Sequence, residues 1–134
     1  MSNLDTFVLD ASAFLALFHR EQGWEVVDDI FARDDVFVCM STVNYAEALA
    51  KILAHEKNPA SMLEIVQALG IRVMDFNLAL AEETGALKPR TASLGLSLAD
   101  CACLALARHL GATAVTADKA WARLGNSFDM RFIR

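Results

Sequence analysis

The chain has 134 residues, of which 55% are hydrophobic and 22% charged, with a formal net charge of −5. That length fits one domain, 1–134, and so apolar a composition excludes a disordered segment. Three cysteines are too few for a disulfide scaffold. The longest apolar run, from Cys101 to Ala107, falls far short of the ~18 residues a membrane-spanning helix needs. The acidic balance also argues against a protein that grips nucleic acid by bulk charge. The charge is uneven, however: residues 1–67 hold eleven acids and four bases, and residues 68–134 hold six acids and eight bases. The first ten residues lack the basic region of a signal peptide, so the expected location is the cytoplasm, which suits three free thiols.

In chain order, the apolar triplet Phe7-Val8-Leu9 predicts a strand, 12–19 a helix and 23–32 a second helical pattern. A strand follows at 36–39. The segment 42–55 is a strong helix with Ser41 or Thr42 as its cap. Pro59 opens a helix over 59–69 that Gly70 ends. A strand is expected at 72–76, with Asp75 placed to cap a helix over 77–87, and Pro89 marks a break. Ser97 caps a helix that Gly111 closes. A strand at 112–116, a short helix at 119–124 and a strand at 130–133 complete the chain. Short β-rich strands separated by helices argue for an α/β fold, a central parallel sheet of four to five strands covered on both faces. Sites in such sheets collect past the carboxyl ends of the strands.

Four acids stand out against that pattern. Asp10 follows the first strand and is the only charge between Thr6 and Phe18. Asp100 is the only charge between Arg90 and Arg108, with Leu96, Ser97, Cys103 and Leu104 as its helical neighbours. Glu47 lies inside an Ala- and Leu-rich helix, beside Val43 and Ala50. Asp118 lies just past the strand at 112–116. Removing a carboxylate from water costs several kcal/mol unless it is paired or binds a cation. Singly, each has a structural explanation, such as helix capping by Asp10 or pairing of Asp118 with Lys119. Together, four carboxylates at one sheet edge with few bases nearby form a set that an oxygen-preferring divalent cation would stabilise. That chemistry suits phosphodiester hydrolysis.

The same residues carry a family resemblance. The chain resembles the PIN-domain ribonucleases, specifically the VapC-type toxins of bacterial and archaeal toxin–antitoxin pairs. The matching segments are Phe7-Val8-Leu9-Asp10-Ala11-Ser12-Ala13, Asn44-Tyr45-Ala46-Glu47-Ala48-Leu49, Leu94-Gly95-Leu96-Ser97-Leu98-Ala99-Asp100 and Val115-Thr116-Ala117-Asp118-Lys119-Ala120-Trp121. They occur in family order and span nearly the whole chain. The resemblance implies a PIN-like fold and an acidic metal site of Asp10, Glu47, Asp100 and Asp118, with Thr116 as a supporting hydroxyl. It also implies Mg²⁺- or Mn²⁺-dependent cleavage of RNA, commonly tRNA or ribosomal RNA, which inhibits translation. The implied partners are a VapB-type antitoxin and a second copy of the chain. Many relatives carry arginine directly after the third acid, where this chain has Cys101.

Arg90, Arg108, Lys119 and Arg123 are candidates to contact RNA phosphates. The histidines, His19, His55 and His109, each fall late in a helical pattern and have no metal-ligand spacing. A mean hydropathy of +0.34 calls for a partner over some apolar surface, with Phe14, Leu15, Phe18 and Trp24 in the first two helices as candidates. Two readings from other classes compete. One is a catalytically silent PIN-like module that binds RNA or protein. The other is a receiver-like, Mg²⁺-binding signalling domain, which needs an adjacent acidic pair that Asp5 and Asp10 do not make.

Overall fold

Alternating apolar side chains on a short central strand set up two cores. In the computed structural model, which describes residues 4–55 and 60–134, the strands are β1 (Asp5–Leu9), β2 (Val36–Ser41), β3 (Arg72–Met74), β4 (Thr113–Thr116) and β5 (Met130–Phe132). Every pairing is parallel, in the order β3-β2-β1-β4-β5. The helices are α1 (Ala11–His19), α2 (Trp24–Phe31), α3 (Thr42–Leu53), α4 (Ala60–Ala68), α5 (Leu78–Thr91) and α6 (Leu98–Leu110), with 3-10 turns at Ala92–Leu94 and Lys119–Ser127.

Successive strand residues face opposite sides of a sheet. Phe7 and Leu9 of β1 therefore pack with Phe14, Ile30, Ile52 and Met62 of α1 to α4, while Val8 packs on the other side with Leu80, Leu104 and Trp121. Both faces are covered, and this is the five-stranded α/β fold expected from the sequence. A receiver-type sheet has the order 2-1-3-4-5, so this strand order excludes the signalling-domain reading.

Several boundaries differ from the sequence expectation. The third strand stops at Met74, because the Phe76 N–H leaves the ladder and donates to Thr42 Oγ1 at 3.1 Å. Asp75 does not cap α5; Asn77 does, its Oδ1 accepting from Leu80 N at 3.0 Å. Helix α5 also runs through Pro89 to Thr91. Pro89 lies in the last turns, and Gly85, whose carbonyl loses the missing N–H, is exposed where water can replace it. Pro59, the expected start of the fourth helix, lies outside the described residues. The expected α-helix at 119–124 is instead 3-10 and extends to Ser127, broken at Gly125 (φ 62°, ψ −131°).

Gly23 joins the ends of the chain. It precedes α2 at φ 94°, and a Cβ there would stand 2.2 Å from the carbonyl oxygen of Ile133. Both the dihedral and the space require glycine. Gly23→Ala is expected to cost about 2 kcal/mol or more, read from the urea midpoint.

Candidate active site

The carboxyl ends of β1, β2 and β4 face one edge of the sheet, and the acids singled out in the sequence lie on the segments that leave it. Asp10 follows β1 directly, and its N–H donates to Val115 O of β4 at 3.1 Å. It is 4% exposed and caps α1: Oδ1 accepts from Ala13 N at 2.8 Å and from Ser12 Oγ at 2.7 Å. Oδ2 accepts from Thr116 Oγ1 at 2.5 Å. Both hydroxyls are oriented by backbone donors, because Ser12 Oγ accepts from Ala117 N at 2.9 Å and Thr116 Oγ1 from Asp118 N at 3.0 Å. Each hydroxyl is thus left to donate its proton to Asp10.

Burial dominates the electrostatics of Asp10. It pushes the carboxyl up from 3.8 to about 6, against the hydrogen bonds from Thr116, Ala13 and Ser12, which pull it down, and Asp100 adds repulsion. Hydroxyl and amide donors surround this carboxylate, and among the described residues no cation pairs with it. Among the described residues, the ion pairs are those of Arg33 with Asp5 and Asp35. They lie at the opposite end of β1.

Asp100 reaches the same edge because α6 begins there before leading into β4. It forms a capping box: Asp100 Oδ2 accepts from Ser97 N at 2.8 Å and Ser97 Oγ accepts from Asp100 N at 3.1 Å. Glu47 is half-buried in the second turn of α3, which follows β2 without a loop. A buried thiol, Cys103, lies within electrostatic range of all three acids. Cys103 is wholly enclosed, and its pKa is raised well above the ordinary thiol value by burial, with further contributions from Asp10, Asp100, Cys39 and Glu47. Asp118 is more peripheral: it is exposed, and Oδ1 caps the 3-10 turn by accepting from Ala120 N at 3.0 Å. The pairing with Lys119 considered for Asp118 is replaced by that backbone donor.

Among the described residues, no three acidic, histidine or cysteine side chains form a ready-made metal cage. The donor chemistry nonetheless fits a hard divalent cation. Mg²⁺ keeps several waters and takes only one or two carboxylates directly, and here the candidate donors are carboxylate oxygens, of which the buried Asp10 has no ion-pair partner among the described residues.

The remaining candidates separate. Arg90 and Arg123 are exposed and line one cleft of 190 Å³ beside Thr91, whose hydroxyl lies 3.2 Å from Cys101 Sγ at the start of α6. Lys119 is exposed next to Asp118. Arg108 lies at the far end of α6, stacked 4.4 Å over the Phe128 ring, away from the acids. Cys101, Cys103 and Cys39 are free and buried, as expected of small apolar residues, and burial pushes Cys39 up to about 12. Sequence reasoning did not single out Ser12 and Asn44. The Asp-x-Ser spacing was the available signal for Ser12. For Asn44, it was an amide three residues before Glu47 and one turn before the apolar Ala48.

Thr116→Val removes the strongest hydrogen bond holding Asp10 charged and the acceptor for Asp118 N. The Asp10 pKa is expected to climb beyond about 6 in EDTA, followed by carboxyl ¹³C NMR, and activity to fall about tenfold.

Residues 7–126 match the family description "PIN domain", and the chain belongs to the PIN-domain family. No curated protein matches it in sequence. Among solved structures, it is similar to VapBC2 from Rickettsia felis bound to a DNA fragment from their promoter, with TM-score 0.73 and 17% identity over 95% of this chain and 98% of that one. VapBC-1 from nontypeable Haemophilus influenzae gives TM-score 0.70 and 17% identity over 96% and 98%. VapC20 of Mycobacterium tuberculosis, described as a sarcin-ricin loop cleaving toxin, gives TM-score 0.72 and 19% identity over 89% and 95%. At these identities the likeness is one of fold.

Proposed function

We propose that this chain, as a single PIN-like domain, is a Mg²⁺- or Mn²⁺-dependent endoribonuclease and the toxin of a VapBC-type toxin–antitoxin pair. It would act in the cytoplasm on structured RNA, with tRNA or ribosomal RNA as the expected class. The observation that carries this reading is the buried Asp10, oriented by three donors, paired with no base among the described residues, and within electrostatic reach of Asp100. Family membership and the likeness to VapC-containing structures support it.

In this reading, Asp10 and Asp100 hold the cation, Glu47 holds it or orients the attacking water as a base, and Asp118 contributes through water. The bound ion would lower the pKa of water and offset charge on the phosphate. Ser12 and Thr116 keep both Asp10 oxygens fixed in direction. The Ser97 capping box fixes Asp100 on the first turn of α6. Arg90, Arg123 and Lys119 supply the positive charge for RNA phosphates that the acidic chain otherwise lacks.

An antitoxin and a second copy are the proposed partners. A 360 Å³ groove lined by Leu17, Phe18, Trp24, Ile65 and Leu69, with Arg20 and Asp28 beside them, supports such contacts. Phe14 and Leu15 are buried, so of the four expected candidates Phe18 and Trp24 supply that surface.

The test is incubation of antitoxin-free protein with total bacterial RNA in Mg²⁺, Mn²⁺ or EDTA. Discrete cuts that disappear in EDTA are expected. Folded, metal-supplied protein that binds RNA without cutting it would favour the silent PIN-like module.

A further inference from the structure

We propose that Asn44 is a positioning residue of the acidic site: its amide nitrogen clamps the first turn of α6 to α3, and its amide oxygen accepts a hydrogen bond from a water of the bound divalent cation. The proposal rests on the metal-dependent reading above. Asn44 is wholly buried, and Nδ2 donates to Ala99 O at 3.1 Å. Ala99 immediately precedes Asp100, and Asn44 lies three residues before Glu47, on the same side of α3. One side chain therefore bridges the backbones that carry two of the acids.

The bond to a carbonyl also fixes which end of the amide is which. Oδ1 is turned elsewhere, buried, and without a hydrogen-bond partner among the described residues. Buried acceptors of this kind are uncommon, because leaving one unpaired costs stability. A leucine of similar volume would avoid that cost and still fill the space. An amide retained between two acids points to a donor that arrives with a ligand. A hydrated divalent cation brings such donors, and partners of its water shell orient and tighten it.

Mg²⁺ titration of the ¹⁵N-labelled wild-type chain provides the test. The Asn44 side-chain amide signals, assigned through bonds from the Asn44 backbone in a chain labelled with ¹³C as well, are expected to move with the same Kd as the Asp10 backbone amide. Those of Asn126, in the 3-10 turn past Gly125, are expected to stay. In Asn44→Leu, Mn²⁺ affinity measured by calorimetry is expected to fall at least about tenfold. The Mn²⁺-dependent rise in Tm would shrink with it. A clamp with no role toward the cation would shift Tm equally with and without Mn²⁺, and that result overturns the proposal. Mg²⁺ shifts at Asp10 and Glu47 with Asn44 unmoved would overturn it while leaving the ribonuclease reading standing. No Mg²⁺ shift anywhere would remove both. The wild-type titration decides the matter even if Asn44→Leu does not fold.

Discussion

Asp10→Asn is expected to lower RNA cleavage about a thousandfold and, in EDTA near neutral pH, to make the folded chain more stable. The two effects have one cause. The buried carboxylate has a folded-state pKa of about 6 against 3.8 in its ordinary state, chiefly through burial. A group whose folded pKa is raised contributes stability that is present in full below pH 3.8 and is lost as pH rises through 6. Above that window the ionised Asp10 costs the fold about 3 kcal/mol. Wild-type protein in EDTA should therefore show a lower urea midpoint at pH 8 than at pH 5. Asparagine still accepts from Ala13 N and Ser12 Oγ and carries no charge, so the variant should lose that pH slope and gain about 1–3 kcal/mol at pH 8. The lost activity reflects removal of the charge that holds the cation, at the scale of removing one strong electrostatic contributor. A variant that keeps its activity, or a wild-type midpoint that rises from pH 5 to pH 8, would contradict this account.

Asp100 separates a structural from a chemical role in a different way. Its Oδ2 accepts from Ser97 N in the capping box, and asparagine can make the same bond. Asp100→Asn is therefore expected to leave stability within about 0.5 kcal/mol and to lower activity about a hundredfold. Ser97→Ala should do the reverse. It removes the side-chain acceptor for Asp100 N and costs about 1 kcal/mol, while the carboxylate stays. Urea midpoints and single-turnover cleavage rates on one RNA compare the two. Equal losses of activity in both variants would mean that Asp100 acts only as a cap.

Much of the fold was legible because β1 is so short and so apolar. Phe7, Val8 and Leu9 announce a strand covered on both faces, and the helical periods that follow leave a parallel sheet as the natural arrangement. What stayed hidden depended on partners distant in sequence. Nothing local tells that Thr42 Oγ1 will draw the Phe76 N–H out of the third strand, or that α5 will continue through Pro89. The acids were legible as charges in apolar surroundings. Their capping roles were only partly so, since a cap at Asp10 is local but its bond to Thr116 spans 106 residues. Asn44 offered only its place three residues before Glu47, because its bond to Ala99 O joins residues 55 apart. Arg108 was proposed from its charge, and the helix carries it to the opposite end from Asp100.

The most direct test of the central claim is a calorimetric titration of Mn²⁺ into antitoxin-free wild-type protein and into Asp10→Asn, at pH 7.5. The account predicts saturable binding to the wild type, which weakens when the titration is repeated at pH 5, where the metal-free Asp10 is largely protonated. It predicts binding at least about tenfold weaker in the variant. Equal affinity in the two proteins would contradict it, as would RNA cleavage by a wild-type chain that binds no Mn²⁺.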